Sequence, residues 1–209
     1  MSLKMMLRHE KRARLKGHRL IAGVDEAGRG PLAGPVVAGA VILRDTGFTE
    51  RIDDSKRLTP AMRQRAFTEI LSKAVIGVGI VSERVVDRIN IYNATLLAMK
   101  EAVSNLKLKP DYVLIDGNVG PRLPMEVLTI PSGDAKSLSI ACASIVAKVC
   151  RDSIMSFYDT LYPVYDFSSH KGYGTRRHMA LIDAHGPSPI HRRSFSPLKS
   201  PSSHSSGKE

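Results

Sequence analysis

Short apolar runs bounded by glycine and proline alternate with longer stretches of helical periodicity along the chain. "HRLIAGVD" (18–25) and "GPVVAGAVIL" (34–43) predict two strands joined by a glycine-rich turn. Pro31 and Pro35 resist a helix between them, so the chain passes from strand to strand. The stretch "LTPAMRQRAFTEILSKA" (58–74) predicts a helix with Thr59 as N-cap and Pro60 at its first position. Met62, Ala66, Ile70 and Ala74 recur at every fourth residue and give that helix one apolar stripe.

"VIGVGIVS" (75–82) reads as a strand and "NIYNATLLAMKEAVSNL" (90–106) as a second amphipathic helix. "DYVLIDGN" (111–118) is a short buried strand ending on Asp116, and "MEVLTIPSGD" (125–134) is another, stopping at Asp134. A long helix follows over "AKSLSIACASIVAKVCRDSIM" (135–155), where Ala141, Ala143, Ser144 and Ala147 keep the packing surface small. Beyond it lies a loop, then a helix over 176–185 with Thr175 as cap and Gly186 as its end. Strands alternating with helices after an initial strand pair predict an α/β fold with a mixed sheet flanked by helices and a C-terminal helical extension. The expected organisation is a basic leader (1–19), a core (20–160), a C-terminal helical and loop part (161–197) and a disordered Ser-rich tail (198–209).

Composition adds location and partner. A 43% hydrophobic and 24% charged chain has the means for a core, and no apolar run reaches the ~18 residues of a membrane span. No secretory h-region follows the basic N-terminus, so a cytoplasmic, reducing setting is expected. Cys142 and Cys150 sit about 12 Å apart along the predicted helix, at about 1.5 Å per residue, and should be free. The net charge of +11 is concentrated at the ends: residues 1–19 carry seven Lys/Arg against one acid, and residues 170–199 carry six against one. Clustered cations of this kind suit a polyanion such as a nucleic-acid backbone, although basic termini can also serve only solubility.

Three separated strands share one ending, an acid beside glycine: Asp25 with Glu26, Asp116 and Asp134. Strand ends in α/β sheets are where sites assemble. Any one such acid is often a turn former, and Asp134 could cap the helix after it. Adjacent Asp25 and Glu26 are costly without a counterion, which favours a carboxylate site for Mg²⁺ or Mn²⁺. With a basic surface, that site suggests metal-assisted phosphoryl chemistry needing no side-chain nucleophile. The backbone of Gly28, Arg29 and Gly30 could then bracket a ribose 2′-OH, or merely make a tight turn. "GRGPLAG" also approaches a dinucleotide fingerprint, but the two prolines deny it the helix that fingerprint opens.

"VDEAGRGPLAGPVVAGAVIL", "DDSKRLTP", "LIDG", "GDAKSLSIACASIVAKVCRD" and "HKGYGTRRHMALIDAHGPSPIHRRSF" together resemble the successive blocks of bacterial ribonuclease HII, across about residues 20–197. The resemblance implies a ribonuclease H-like fold and endonucleolytic cleavage of RNA in RNA–DNA hybrids. It also implies incision 5′ of single ribonucleotides in duplex DNA, leaving 3′-hydroxyl and 5′-phosphate ends, with two Mg²⁺ or Mn²⁺ ions. Asp25, Glu26, Asp116 and Asp134 are then the metal ligands; Gly28, Arg29 and Gly30 are the junction-sensing turn, and Tyr173 packs on the sugar at the junction. It implies Lys56 as a phosphate contact, where a solvated lysine is the plainer reading, and puts Asn93 and Thr95 near the nucleic acid, where ordinary helix packing would also hold them. His170, Lys171, His191 and Arg192 are implied as backbone-phosphate contacts or as support for the Tyr173 loop. Asp152 reads as a structural ion-pair partner. A monomer with no organic cofactor and no membrane partner is expected. A junction resolvase would have no use for a 2′-OH sensor, and a pure binding module would not set carboxylates where phosphates dock.

Overall fold

The computed structural model describes residues 3–198, so the tail expected to be disordered lies, but for Leu198, outside the described residues. Two helices open the chain, α1 (Leu3–Met6) and α2 (Arg8–Leu15), where the sequence showed only basic charge. Strands β1 (Ile21–Ala27) and β2 (Val36–Leu43) follow, then α3 (Pro60–Lys73), β3 (Ala74–Val81) and α4 (Glu83–Ser104). Next come β4 (Tyr112–Asp116), β5 (Glu126–Ile130), α5 (Leu138–Leu161), α6 (Phe167–His170) and α7 (Arg176–His185). The caps fall where residue type demands. Thr59 accepts from the Met62 N–H, Thr175 accepts from the His178 N–H, and Gly186 ends α7 with a φ of 71°.

The five strands form one mixed sheet in the order β3-β2-β1-β4-β5. β1 runs antiparallel to β2 and parallel to β4, and β4 runs parallel to β5. The C-terminal ends of β1, β4 and β5 therefore lie side by side along one edge of the molecule. Helix α5 covers one face of the sheet and α4 the other, which is why β2 is buried on both sides and reads as a nearly unbroken apolar run.

Both helices come close because the strands offer glycine. A Cβ on Gly23 would lie 2.2 Å from the Ser139 carbonyl carbon of α5, and one on Gly79 would lie 2.0 Å from the Ala98 oxygen of α4. The small residues of α5 complete this fit, since Ala141, Ala143 and Ala147 are fully buried. Helix α4 begins seven residues earlier than its periodicity predicts and breaks at Asn90, where φ is 64°. The Asn90 side chain accepts from the Asn93 N–H at 3.0 Å and caps the second segment, so the predicted start marks the break.

The basic N-terminal stretch is pinned through an acid. Glu10 of α2 is buried, and its Oε1 accepts from Ser137 Oγ at 2.6 Å, Ser139 Oγ at 2.8 Å and the Ser139 N–H at 3.0 Å. A carboxylate there complements the N-terminal end of α5.

Candidate active site

Strand alternation explains what two adjacent acids are doing at the end of β1. Successive side chains on a strand point to opposite faces. Asp25 shares the face of Gly23 and its partner Gly39, both packed against α5, whereas Glu26 turns toward α4. Asp116 ends β4 on the same side as Leu114, whose apolar neighbours include Ile140 of α5. Asp134 sits in the short 3-10 turn Gly133–Ala135 that links β5 to α5. The result is a cluster in which carboxylate oxygens of Asp25, Asp116 and Asp134 all lie within 4.8 Å of one another.

Glu26 is not one of that trio but borders cavities with two of its members, Asp25 and Asp116. Its Oε1 accepts from Arg29 at 3.2 Å, and it borders a second cavity on the α4 side with Tyr92, Thr95 and Asn118. Asp25 and Asp134 are only 6% and 8% exposed, so their mutual repulsion is poorly screened. Burial first, then Glu26 and Asp116, push the Asp25 carboxyl well above the usual carboxylate range, against the opposing Glu26 N–H bond. Burial and Asp116 likewise raise Asp134, while Lys56 opposes the shift. Burial raises Glu26, offset in part by the Arg29 guanidinium. Burial would lower Lys56, but Asp54, Asp25, Asp134 and Asp116 outweigh it and raise its pKa; the lysine lines the same cavity as Asp25 and Glu26. A set of crowded hard-oxygen donors with a raised proton affinity is what a divalent cation relieves, so the residues fit Mg²⁺ or Mn²⁺.

Asp25 and Glu26 open onto a cavity of about 270 Å³ that Gly28, Arg29, Gly30, Lys56 and Tyr173 also line. Gly28 has a φ of +96°, and a Cβ there would lie 2.1 Å from Arg151 Nε, so only glycine fits. Gly30 faces the half-exposed Tyr173 ring, with Cε1 3.7 Å from the place a Cβ would occupy. Turn and tyrosine thus form one wall.

Other expected contacts are committed elsewhere. Arg192 is fully buried and donates to backbone carbonyls, so it meets no substrate phosphate. His170 is buried, donates Nε2–H to the Tyr165 carbonyl and accepts the Gly172 N–H on Nδ1, which makes it support for the Tyr173 loop. His191 supports that loop indirectly, through His178. Thr95 is buried and bonds the Ile91 carbonyl, although it borders the Glu26 cavity; exposed Asn93 bonds Ile89 and Asn90 locally. Lys171 reaches Ser156 Oγ at 2.8 Å. Asp152 pairs with Lys148 at 2.7 Å and Arg63 at 3.5 Å, as expected of a structural partner, and both cysteines are free. The sequence reading missed Lys148 and Arg151, which line the cavity from the middle of α5; nothing in a helical periodicity marks a cation that reaches a site.

The C-terminal histidines are held neutral by their bonds. His178 Nδ1 bonds the Tyr173 carbonyl and its Nε2 meets His191 Nε2 at 3.0 Å, while His191 Nδ1 accepts the Ser188 N–H. His178 therefore carries its proton on Nδ1 and His191 on Nε2, and a second proton on either would set donor against donor. Burial is the main cause that lowers both from 6.5 to about 4. Their folded pKa lies below the unfolded one, so the unfolded chain binds more protons between those values, and stability falls as pH drops from about 6.5 to about 4. At about 1.4 kcal/mol per unit, each of the two should account for a few kcal/mol at most. Thermal unfolding between pH 4 and 7 should show this loss, and His191→Asn should flatten the slope; an unchanged slope would remove the histidines as its source.

The comparisons with known proteins agree with this architecture. A family model described as Ribonuclease HII matches residues 22–197. Ribonuclease HII of Geobacter sulfurreducens is 58% identical over 187 residues, covering 89% of this chain and 86% of the relative. Ribonuclease HII of Bacillus thuringiensis (strain Al Hakam) is 51% identical over 195 residues, covering 93% and 76%. Among solved structures, ribonuclease H2 from Pyrococcus horikoshii OT3 superposes with a TM-score of 0.72 at 28% identity, over 86% of this chain and 95% of that one. RNase HII from Archaeoglobus fulgidus, solved in complex with PCNA, gives 0.68 at 25% identity, over 85% and 95%. With its mixed sheet, its carboxylates gathered at three parallel strand ends and a family match across nearly the whole described chain, this protein belongs to the ribonuclease HII family of nucleases.

Proposed function

We propose that the chain is an endonuclease that cuts RNA in RNA–DNA hybrids and incises 5′ of single ribonucleotides embedded in duplex DNA, leaving 3′-hydroxyl and 5′-phosphate ends. The observation that carries the reading is one cavity combining the Asp25 end of the acid cluster with the Gly28–Gly30 turn and Tyr173. Acids and turn then stand where a phosphodiester and its neighbouring ribose would meet them together. Asp25, Asp116 and Asp134 would hold two divalent ions, with Glu26 joining from the adjoining face. When bound, such ions supply Lewis-acid activation at phosphorus and neutralise charge on the attacking and leaving oxygens.

The chain's own residues do the rest. The Gly28–Gly30 backbone approaches the sugar without Cβ interference and bonds the 2′-oxygen. Tyr173 lays its ring on the sugar, and Lys56 and Lys148 offer charge to phosphates beside the acids. The basic ends of the chain draw the duplex in without reading its sequence.

The test is to incubate the purified chain with a DNA duplex holding one ribonucleotide, in Mg²⁺, Mn²⁺ or EDTA, and to map the cut. A single cut 5′ of the ribonucleotide, absent in EDTA, is expected; cleavage that ignores the ribonucleotide or survives EDTA would refute the reading. Tyr173→Ala should slow incision at that ribonucleotide about 5- to 100-fold, since base or sugar stacking on an aromatic ring is worth ~1–3 kcal/mol. Equal single-turnover rates with and without the ring would remove Tyr173 from the site.

A further inference from the structure

Arg192 and Arg151 are large cations, 0% and 1% exposed, and among the described residues neither pairs with a carboxylate. Backbone carbonyls compensate both. Arg192 donates Nε–H to Gly34 O at 2.9 Å, Nη1–H to Pro31 O at 2.9 Å and Arg29 O at 3.0 Å, and Nη2–H to Gly28 O at 2.6 Å. Its own N–H bonds Leu32 O at 2.8 Å. Arg151 takes the next carbonyls in line, Ala33 O at 3.1 Å and Pro35 O at 3.0 Å.

A buried cation that forms no ion pair is expensive unless it is bonded on every side, so this arrangement is worth its cost only if the turn it grips needs holding. With the Gly28 and Arg29 carbonyls drawn inward to the guanidinium, the amides of Arg29 and Gly30 are left without an intramolecular acceptor among the described residues. Those amides belong to the wall of the acid cavity. Successive N–H groups free in a turn make a concave donor surface for an oxygen ligand.

From this we infer that Arg192 is a positioning residue for ribose discrimination: its fork holds the Gly28–Gly30 turn so that the free amides face the 2′-oxygen. The inference rests on the nuclease reading above. Lysine keeps the charge but cannot span four carbonyls, because it is a point donor on a flexible stem.

The experiment measures affinity in Ca²⁺ for a duplex with one ribonucleotide and for its all-deoxy counterpart. The wild-type chain should prefer the ribonucleotide duplex, and equal affinities there would count against the nuclease reading itself. Arg192→Lys should shrink the preference about tenfold, the effect of roughly one lost hydrogen-bond geometry, while all-deoxy affinity stays within about twofold. A general loss of structure would weaken both duplexes alike. A preserved preference in Arg192→Lys would overturn the inference. Should that variant not fold, ¹⁵N amide shifts in the wild-type chain decide: Arg29 and Gly30 must move with the ribonucleotide duplex and not with the all-deoxy one, and signals indifferent to the sugar would overturn it equally.

Discussion

Asp25→Asn is expected to lower strand cleavage by at least about a thousandfold, some 4 kcal/mol of barrier, while duplex affinity stays within about twofold. Asparagine is nearly isosteric and its Oδ1 can still accept the Glu26 N–H that Asp25 accepts at 2.7 Å, so β1 keeps its course into the turn. What disappears is the negative charge, and with it a hard ligand shared with Asp116 and Asp134. The same substitution should raise the thermal midpoint of the metal-free protein, because burial and like charge already disfavour an ionised Asp25. Stabilisation by added Mn²⁺ should shrink in parallel, since an ion that binds only the folded state stabilises it by mass action. Three readouts thus move in stated directions: cleavage down, metal-free midpoint up, metal-induced shift down. Cleavage near the native rate would end the ligand role of Asp25.

Replacing the ribonucleotide at the cut by its deoxy counterpart should reduce cleavage at that position by about ten-thousandfold, the discrimination reached when a site built to bond a hydroxyl loses it. The magnitude follows from where the turn lies. Gly28–Gly30 shares its cavity with Asp25, so loss of the 2′-oxygen leaves amides unbonded beside the reacting phosphate. Cleavage within about tenfold of the ribonucleotide duplex would mean that the turn shapes the pocket without reading the sugar.

Much of this was legible in the residues. Apolar runs and glycine-proline punctuation marked every strand of the sheet, most plainly β1, β2 and β4, because a strand buried on both faces cannot hide its composition. The acids announced the cluster by recurring after three apolar runs, since any one of them alone reads as a turn former, although Asp134 lies in a turn past the end of β5 and does not end the strand. What the sequence could not display was direction. Asp25 and Glu26 look like one pair in the chain, and only pleating lets Glu26 border a second cavity as well as the one it shares with Asp25. Arg192 read as a phosphate contact or a support for the Tyr173 loop, because nothing local reveals that four carbonyls from residues 28–34 close around it. The helical leader was hidden for a related reason: its mean polarity is high, its buried apolar residues are few, and its polar anchor is an acid whose partners lie more than a hundred residues away.

That anchor bears on how the protein should be handled. Glu10 ties the first helices to the serines that begin the long central helix, three residues past Asp134. A shortened version starting near residue 20 would leave two buried hydroxyls without their carboxylate acceptor, beside the turn that carries an acid of the cluster. The opening segment therefore belongs to the working part of the molecule, and purification handles are best fused at the opposite terminus.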